Sequence, residues 1–208
     1  MSKKQIFTLL IVFGILSYAT PIAVGAQTVR ESRMSVLESD RMGYSIEFNF
    51  DQKTLQDAWN KKCDELKIKS KPSKGLDVFT AVLVPDIHYE NLDIYVKIDK
   101  LDKTRSSFSI TVSKGTTNFI TNEDAKMVQG MNHFLDKFIV YAEQYKLGLD
   151  IKDQEDQIKS TQKTYDRLID DGKKLQEQID KNKVDQENKV KELEALNKAL
   201  ADLKLKIK

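Results

Sequence analysis

Apolar and polar residues alternate strictly over 44–50, where Tyr44, Ile46, Phe48 and Phe50 share one side of an extended chain. That period of two marks a half-buried strand. Asp51 then stands where a helix cap belongs, and Leu55, Trp59, Cys63 and Leu66 follow at three- and four-residue spacings. The sequence therefore predicts a capped helix with one apolar face. Residues 71–75, Lys-Pro-Ser-Lys-Gly, break the chain after it.

Three more strands are predicted. Residues 78–84 are almost continuously apolar, which suits a central strand or one covered on both faces. Leu92, Ile94, Val96 and Ile98 alternate with Asp93, Tyr95, Lys97 and Asp99, leaving one face of that strand for solvent. Phe108, Ile110 and Val112 repeat the alternation, and the short connections favour an antiparallel meander. A second helix starts at Thr121 or Asn122, with Glu123 and Asp124 close to its N-terminal dipole. Its face of Met127, Met131, Phe134, Leu135, Phe138, Ile139 and Ala142 is wide enough to cover a sheet. The order β-α-β-β-β-α predicts an α+β head domain over 43–149, an antiparallel sheet of about four strands with helices on one face. Residues 27–42 are polar and patternless and read as a leader or a weak edge strand.

From 150 to 208 the pattern changes to a heptad. With Ile151 at a, the a positions are Ile151, Ile158, Tyr165, Gly172, Ile179, Gln186, Leu193, Leu200 and Ile207. The d positions are Leu147, Gln154, Thr161, Leu168, Leu175, Asn182, Lys189, Leu196 and Leu203, so twelve of eighteen are apolar in one frame. A polar linker would not keep such a frame, so a long C-terminal helical coiled coil is expected. A lone helix cannot bury this seam, which requires a second copy of the chain, a fold-back of the tail or another helical protein. Gly172 and the polar seam residues Asn182, Gln186 and Lys189 mark the two places where a fold-back is conceivable. The e and g positions, among them Gln157, Gln162, Thr164, Gln176 and Gln178, give little ionic instruction on partner choice.

The first 26 residues alter the picture of location. Lys3 and Lys4 precede an apolar run, and small residues follow up to Ala26, the arrangement of a secretory signal peptide over 1–26 cleaved before Gln27. The apolar run is shorter than the roughly 20 residues that span a bilayer, so no transmembrane segment is expected after cleavage. Removing the two lysines of that segment leaves 32 basic against 32 acidic residues. Such a balance offers no broad field for nucleic acid or an anionic membrane. The one cysteine, Cys63, excludes an internal disulfide and falls on the apolar side of its helix, where an inert thiol is expected.

Chemistry is sparse. His88 and His133 lie in different predicted elements, and Asp86 with His88 supplies only two ligands, too few to define a zinc site. Residues 113–117, Ser-Lys-Gly-Thr-Thr, lack the spacing of a phosphate loop, and no nucleophile elbow, zinc-protease helix or EF-hand loop is present. No catalytic constellation, cofactor or metal is therefore expected.

The helix AWNKKCDELK (58–67), the strand LDIYVKID (92–99) and the junction AEQYKLGLDIKDQE (142–155) resemble a functionally uncharacterised group of exported bacterial proteins that join a small α+β head to a C-terminal coiled coil. The resemblance implies an exported protein of the periplasm or the cell exterior and carries no functional residues with it. Sequence and resemblance together lead to a non-enzymatic envelope protein. Its tail would form a homo-oligomer or dock on another helical envelope protein. The seam residues expected to matter are Ile151, Ile158, Tyr165, Leu168, Leu175, Ile179, Leu193, Leu196, Leu200, Leu203 and Ile207. The alternative is a ligand-binding or holdase module of the envelope.

Overall fold

A computed structural model describes residues 27–205 of the chain. The expected signal-peptide segment and Ile207 lie outside them. Two compact units meet between Leu147 and Gly148.

In the first unit the strands are β1 (Arg30–Val36), β2 (Ser39–Phe48), β3 (Lys71–Ser73), β4 (Leu76–Val82), β5 (Leu92–Lys100), β6 (Ser106–Lys114) and β7 (Asn118–Phe119). Helix α1 (Gln52–Leu66) follows β2, and helix α2 (Ala125–Leu205) begins after β7. The fold is α+β as expected, but the sheet is larger than four strands. It has seven, in the order β1-β2-β6-β5-β4-β3, with β7 pairing to β6, and every pairing is antiparallel.

The additional strands are short or poorly patterned. Strand β3 has three residues and β7 two, too few for a period to register. Residues 27–42 carry β1 and the start of β2, a hairpin closed by Leu37 and Glu38, both at positive φ (51° and 62°). Two residues in that conformation give the primed turn whose twist matches the strands it joins.

Helix α1 starts where the sequence places it. The Asp51 carboxylate accepts hydrogen bonds from the Thr54 amide at 3.1 Å and the Thr54 hydroxyl at 2.8 Å, which satisfies one of the free N–H groups of the first turn. Its buried side is Leu55, Ala58, Trp59 and Cys63. Trp59 is the hub of the main core, with ring centroids 5.1 Å from Phe108, 5.4 Å from Phe138 and 5.7 Å from Phe79, all steeply inclined. Met127, Met131, Phe134, Leu135, Phe138 and Ala142 of α2 belong to the same core. The buried residues of both helices thus gather in one apolar layer with Ile46, Phe48, Ile94, Val96 and Ile110 of the sheet.

A second, smaller cluster joins Met34 and Val36 of β1 to Tyr95 and Phe119, with Leu76 and Val78 packed on it. The β1–β2 hairpin thereby covers Leu76 and Val78 of β4 and, on β5, Tyr95, which alternation would assign to solvent. Two strand expectations change. Residues 92–96 of β5 are all buried, Asp93 and Tyr95 included, because the hairpin covers their side. Strand β4 is next to the edge strand β3 and buries only Phe79 fully. Its apolar run is interrupted by a register shift, with Ala81 at φ 53° and its amide donating to the Asp93 carboxylate at 2.8 Å.

Gly43 lets β2 lie close against β6. A Cβ there would stand 2.7 Å from the Ile110 carbonyl oxygen and 3.3 Å from Cβ of Thr111, so only glycine allows β2 this close to β6. The Thr111 hydroxyl donates to the neighbouring Met42 carbonyl at 2.6 Å, and β7 takes over the pairing with β6 at Ser113 and Lys114.

In the second unit, residues 148–205 are helical throughout. Neither conceivable fold-back point interrupts α2. Gly172 costs about 1 kcal/mol against alanine, too little to end a long helix. At the other, Gln186 donates to Asn182 one turn earlier at 2.6 Å, so polar seam residues support the helix locally rather than breaking it.

Candidate functional site: the exposed helical seam

The ten seam residues from Ile151 to Leu203 named above lie on α2, and each is between 49 % and 66 % exposed. A helix repeats every 3.6 residues, so positions spaced by three and four fall along one stripe. The stripe is flanked by polar pairs that close within the helix. Gln162 donates to Asp166 and Gln176 to Asp180, each at 2.9 Å, while Lys173 pairs with Asp170 at 3.2 Å. Exposed contacts of this kind add only about 0.2–0.5 kcal/mol each. They support the helix locally and leave the apolar stripe exposed.

The stripe is uneven. From Leu193 to Leu203 every a and d position is leucine, whereas Asn182, Gln186 and Lys189 form a polar interval before it. Exposed Val184 and Val190 lie beside that interval. Such a polar interval fixes register between paired helices at some expense of stability.

The first unit carries clefts of its own, two of which bear on chemistry. One, of about 460 Å³, is lined by Pro85, Asp86, Ile87, His88, Lys126 and His133 among others, so the fold brings together the two histidines that the sequence places in separate elements. Gly130 makes this possible, because a Cβ there would collide with the Ile87 carbonyl. Two of its polar groups are already engaged: Asp86 pairs with Lys137 at 2.8 Å, and His88 Nδ1 accepts from the Glu90 amide at 3.1 Å. Among the described residues no group of three or more His, Cys, Asp or Glu side chains is placed to hold a metal ion. The second cleft, of about 690 Å³, lies between the β1–β2 hairpin and residues 117–122.

Cys63 is buried, and its burial, with the Asp77 and Asp64 carboxylates nearby, pushes the thiol up to about 12. A thiol so rarely ionised is a poor nucleophile. Tyr141 is also raised, by desolvation first and then by its hydrogen bond to Glu65 at 2.8 Å. That bond ties α2 to α1.

No family model, curated protein or solved structure matches the chain. Among the described residues no helix is long and apolar enough to cross a membrane.

Proposed function

We propose that the chain is a non-enzymatic, exported protein of the bacterial envelope whose helical tail assembles it with further copies of itself. The observation that carries the reading is the apolar stripe of ten residues, nine of them aliphatic and one Tyr165, each about half exposed or more, on an uninterrupted helix. Covering a leucine or isoleucine side chain in water is worth about 1.5–3 kcal/mol. A single such helix leaves that energy unused, and pairing recovers it.

A second copy is favoured over a different protein by charge. Residues 150–208 hold 14 basic and 14 acidic side chains, so two tails meet without net repulsion. The e and g positions lack the opposed charge sets that select a heterologous partner. Export rests on the signal-like first 26 residues, and membership of the exported head-and-coil group rests on the pattern of head, junction and tail.

Light scattering on the full chain from Gln27, over a range of concentrations, tests assembly. A mass at least twice that of the monomer supports it, and a monomer at all concentrations refutes it. Export is tested separately by fractionating a bacterial host and sequencing the N-terminus: a chain starting at Gln27 outside the cytoplasm is expected.

A further inference from the structure

The two inner positions of the α2 seam hold different kinds of apolar residue. Ile151, Ile158 and Ile179 stand at a, whereas Leu168, Leu175, Leu196 and Leu203 fill every apolar d position between 151 and 205. No isoleucine or valine stands at d. This segregation runs for more than seven heptads, well beyond the three or four that mark a coiled coil. A side chain branched at Cβ suits a, and leucine suits d, when two parallel helices pair. Isoleucine at both positions, or leucine at a with isoleucine at d, shifts the preference to three or four strands. Leu193 and Leu200 take a near the C-terminus, but the d residues beside them are still leucine.

We propose that the tail pairs with one second copy of the chain, parallel and in register, as a two-stranded coiled coil. The inference rests on the self-assembly proposed above and adds number and direction to it.

The polar interval carries the direction. In a parallel pair in register each seam residue meets itself, so Asn182 faces Asn182 and Gln186 faces Gln186. Each amide both donates and accepts, and a self-pair can satisfy both ends. Lys189, the one charged seam residue between 151 and 205, pairs along its own helix with Glu192 at 2.6 Å, which moderates its approach to its copy. An antiparallel pair instead sets a against d. Laying Gln186 on Asn182 then puts Lys189 against Ile179, and a slide of one heptad either way sets Asn182 against Ile179 or Leu193. Polar groups held against apolar ones lose water and gain no partner. The flanks agree with the parallel pair. From Gln157 onward no charged g residue meets a like charge at the e position five residues later in the copy.

Light scattering of the full chain from Gln27 should give twice the monomer mass. Direction is read from two single variants, Thr161→Cys and Lys189→Cys. Both positions are d and polar in the parent, so neither change removes apolar packing. They lie 28 residues apart, roughly 42 Å along a helix, and a disulfide needs Cα atoms within about 7 Å. No single antiparallel register lets both positions meet their own copies, so self-linking at both identifies parallel chains. Incubated dilute with oxidised glutathione, each variant should run mostly as covalent dimer on a non-reducing gel. The parent, whose one thiol is the buried Cys63, should not. A dimer that links at both positions supports the inference. A trimer or larger assembly, or a dimer that links at one position or neither, overturns it and leaves self-assembly standing. A monomer at every concentration removes self-assembly and this inference with it.

Discussion

Glu38 Oε1 lies 3.1 Å from Lys74 Nζ, and these residues sit in the turns of two hairpins that form opposite edges of the same sheet. The β1–β2 hairpin therefore reaches across one side of the sheet to the far edge. The ion pair marks this crossing without causing it, because both side chains are largely exposed and such pairs contribute about 0–1 kcal/mol. Beneath it Met34 and Val36 close on Tyr95, Leu76 and Val78, and that apolar contact holds the hairpin down. Lys74→Ala should change the unfolding free energy by less than about 0.5 kcal/mol. Met34→Ala should cost about 2–4 kcal/mol. Urea denaturation of both variants provides the check, and comparable losses would mean that the ion pair, not the apolar contact, fastens the hairpin.

Glycine in a helix is ordinarily a weakness, yet α2 contains Gly130 and Gly172 in opposite circumstances. At Gly172 a Cβ would have nothing within 4 Å of it, whereas at Gly130 a Cβ would run into the Ile87 carbonyl. Gly172→Ala should therefore raise helix stability by up to about 1 kcal/mol. Gly130→Ala gains the same propensity but forces the 84–88 loop away, for a net loss of about 1–3 kcal/mol. Thermal melts followed by helical circular dichroism should move in opposite directions.

Asp51 links the cap of α1 to pH. Its hydrogen bonds from the Thr54 hydroxyl and amide hold the carboxyl below its ordinary value of 3.8. A folded-state pKa below the unfolded one favours the native state while the group is ionised. The contribution is complete above 3.8 and is lost as pH falls through the lowered folded value. Asp51→Ala should cost about 1 kcal/mol at neutral pH. The gap between parent and variant should narrow in melts at about pH 3 and below. A gap that stays constant would mean that the neutral acid caps as well as the carboxylate.

The main core was legible in the sequence because its residues are large and regularly spaced. Phe48, Trp59, Phe108 and Phe138 meet there from a strand, a helix, a strand and a helix, each element carrying its own period. The hairpin was not legible, since its inner face consists of Ser32, Met34, Val36, Arg41 and Gly43, in which small and charged residues hide the alternation. Missing that cover is what left Tyr95 and Asp93 assigned to solvent. The second cleft, where Arg41 stacks over Phe119, escaped for the same reason, because Phe119 comes to it from a two-residue strand 78 positions later in the chain. The one signal for it was Gly43 inside an otherwise good strand, a mark of close backbone approach.

The leucine-rich end of the seam gives the sharpest test of the tail. Leu196 and Leu200 are 60 % and 50 % exposed, so aspartate at both positions meets no packing obstacle within a single chain. If the stripe has no partner, Leu196→Asp with Leu200→Asp should leave solution mass and melting unchanged. If two or more tails pair, each variant copy must place carboxylates in an apolar layer, where an unpaired charge costs several kcal/mol. The expected outcome is a shift from oligomer to monomer in light scattering, with a fall in helical signal because long isolated helices in water depend on their partners. The head should be untouched, since its core draws on residues no later than Tyr145, and Trp59 fluorescence should report the same urea midpoint in parent and variant. Loss of that Trp59 transition together with the oligomer would show that head folding depends on tail assembly. An unchanged oligomer would move the contact off the Leu193–Leu203 stretch and onto the earlier heptads around Leu168 and Leu175.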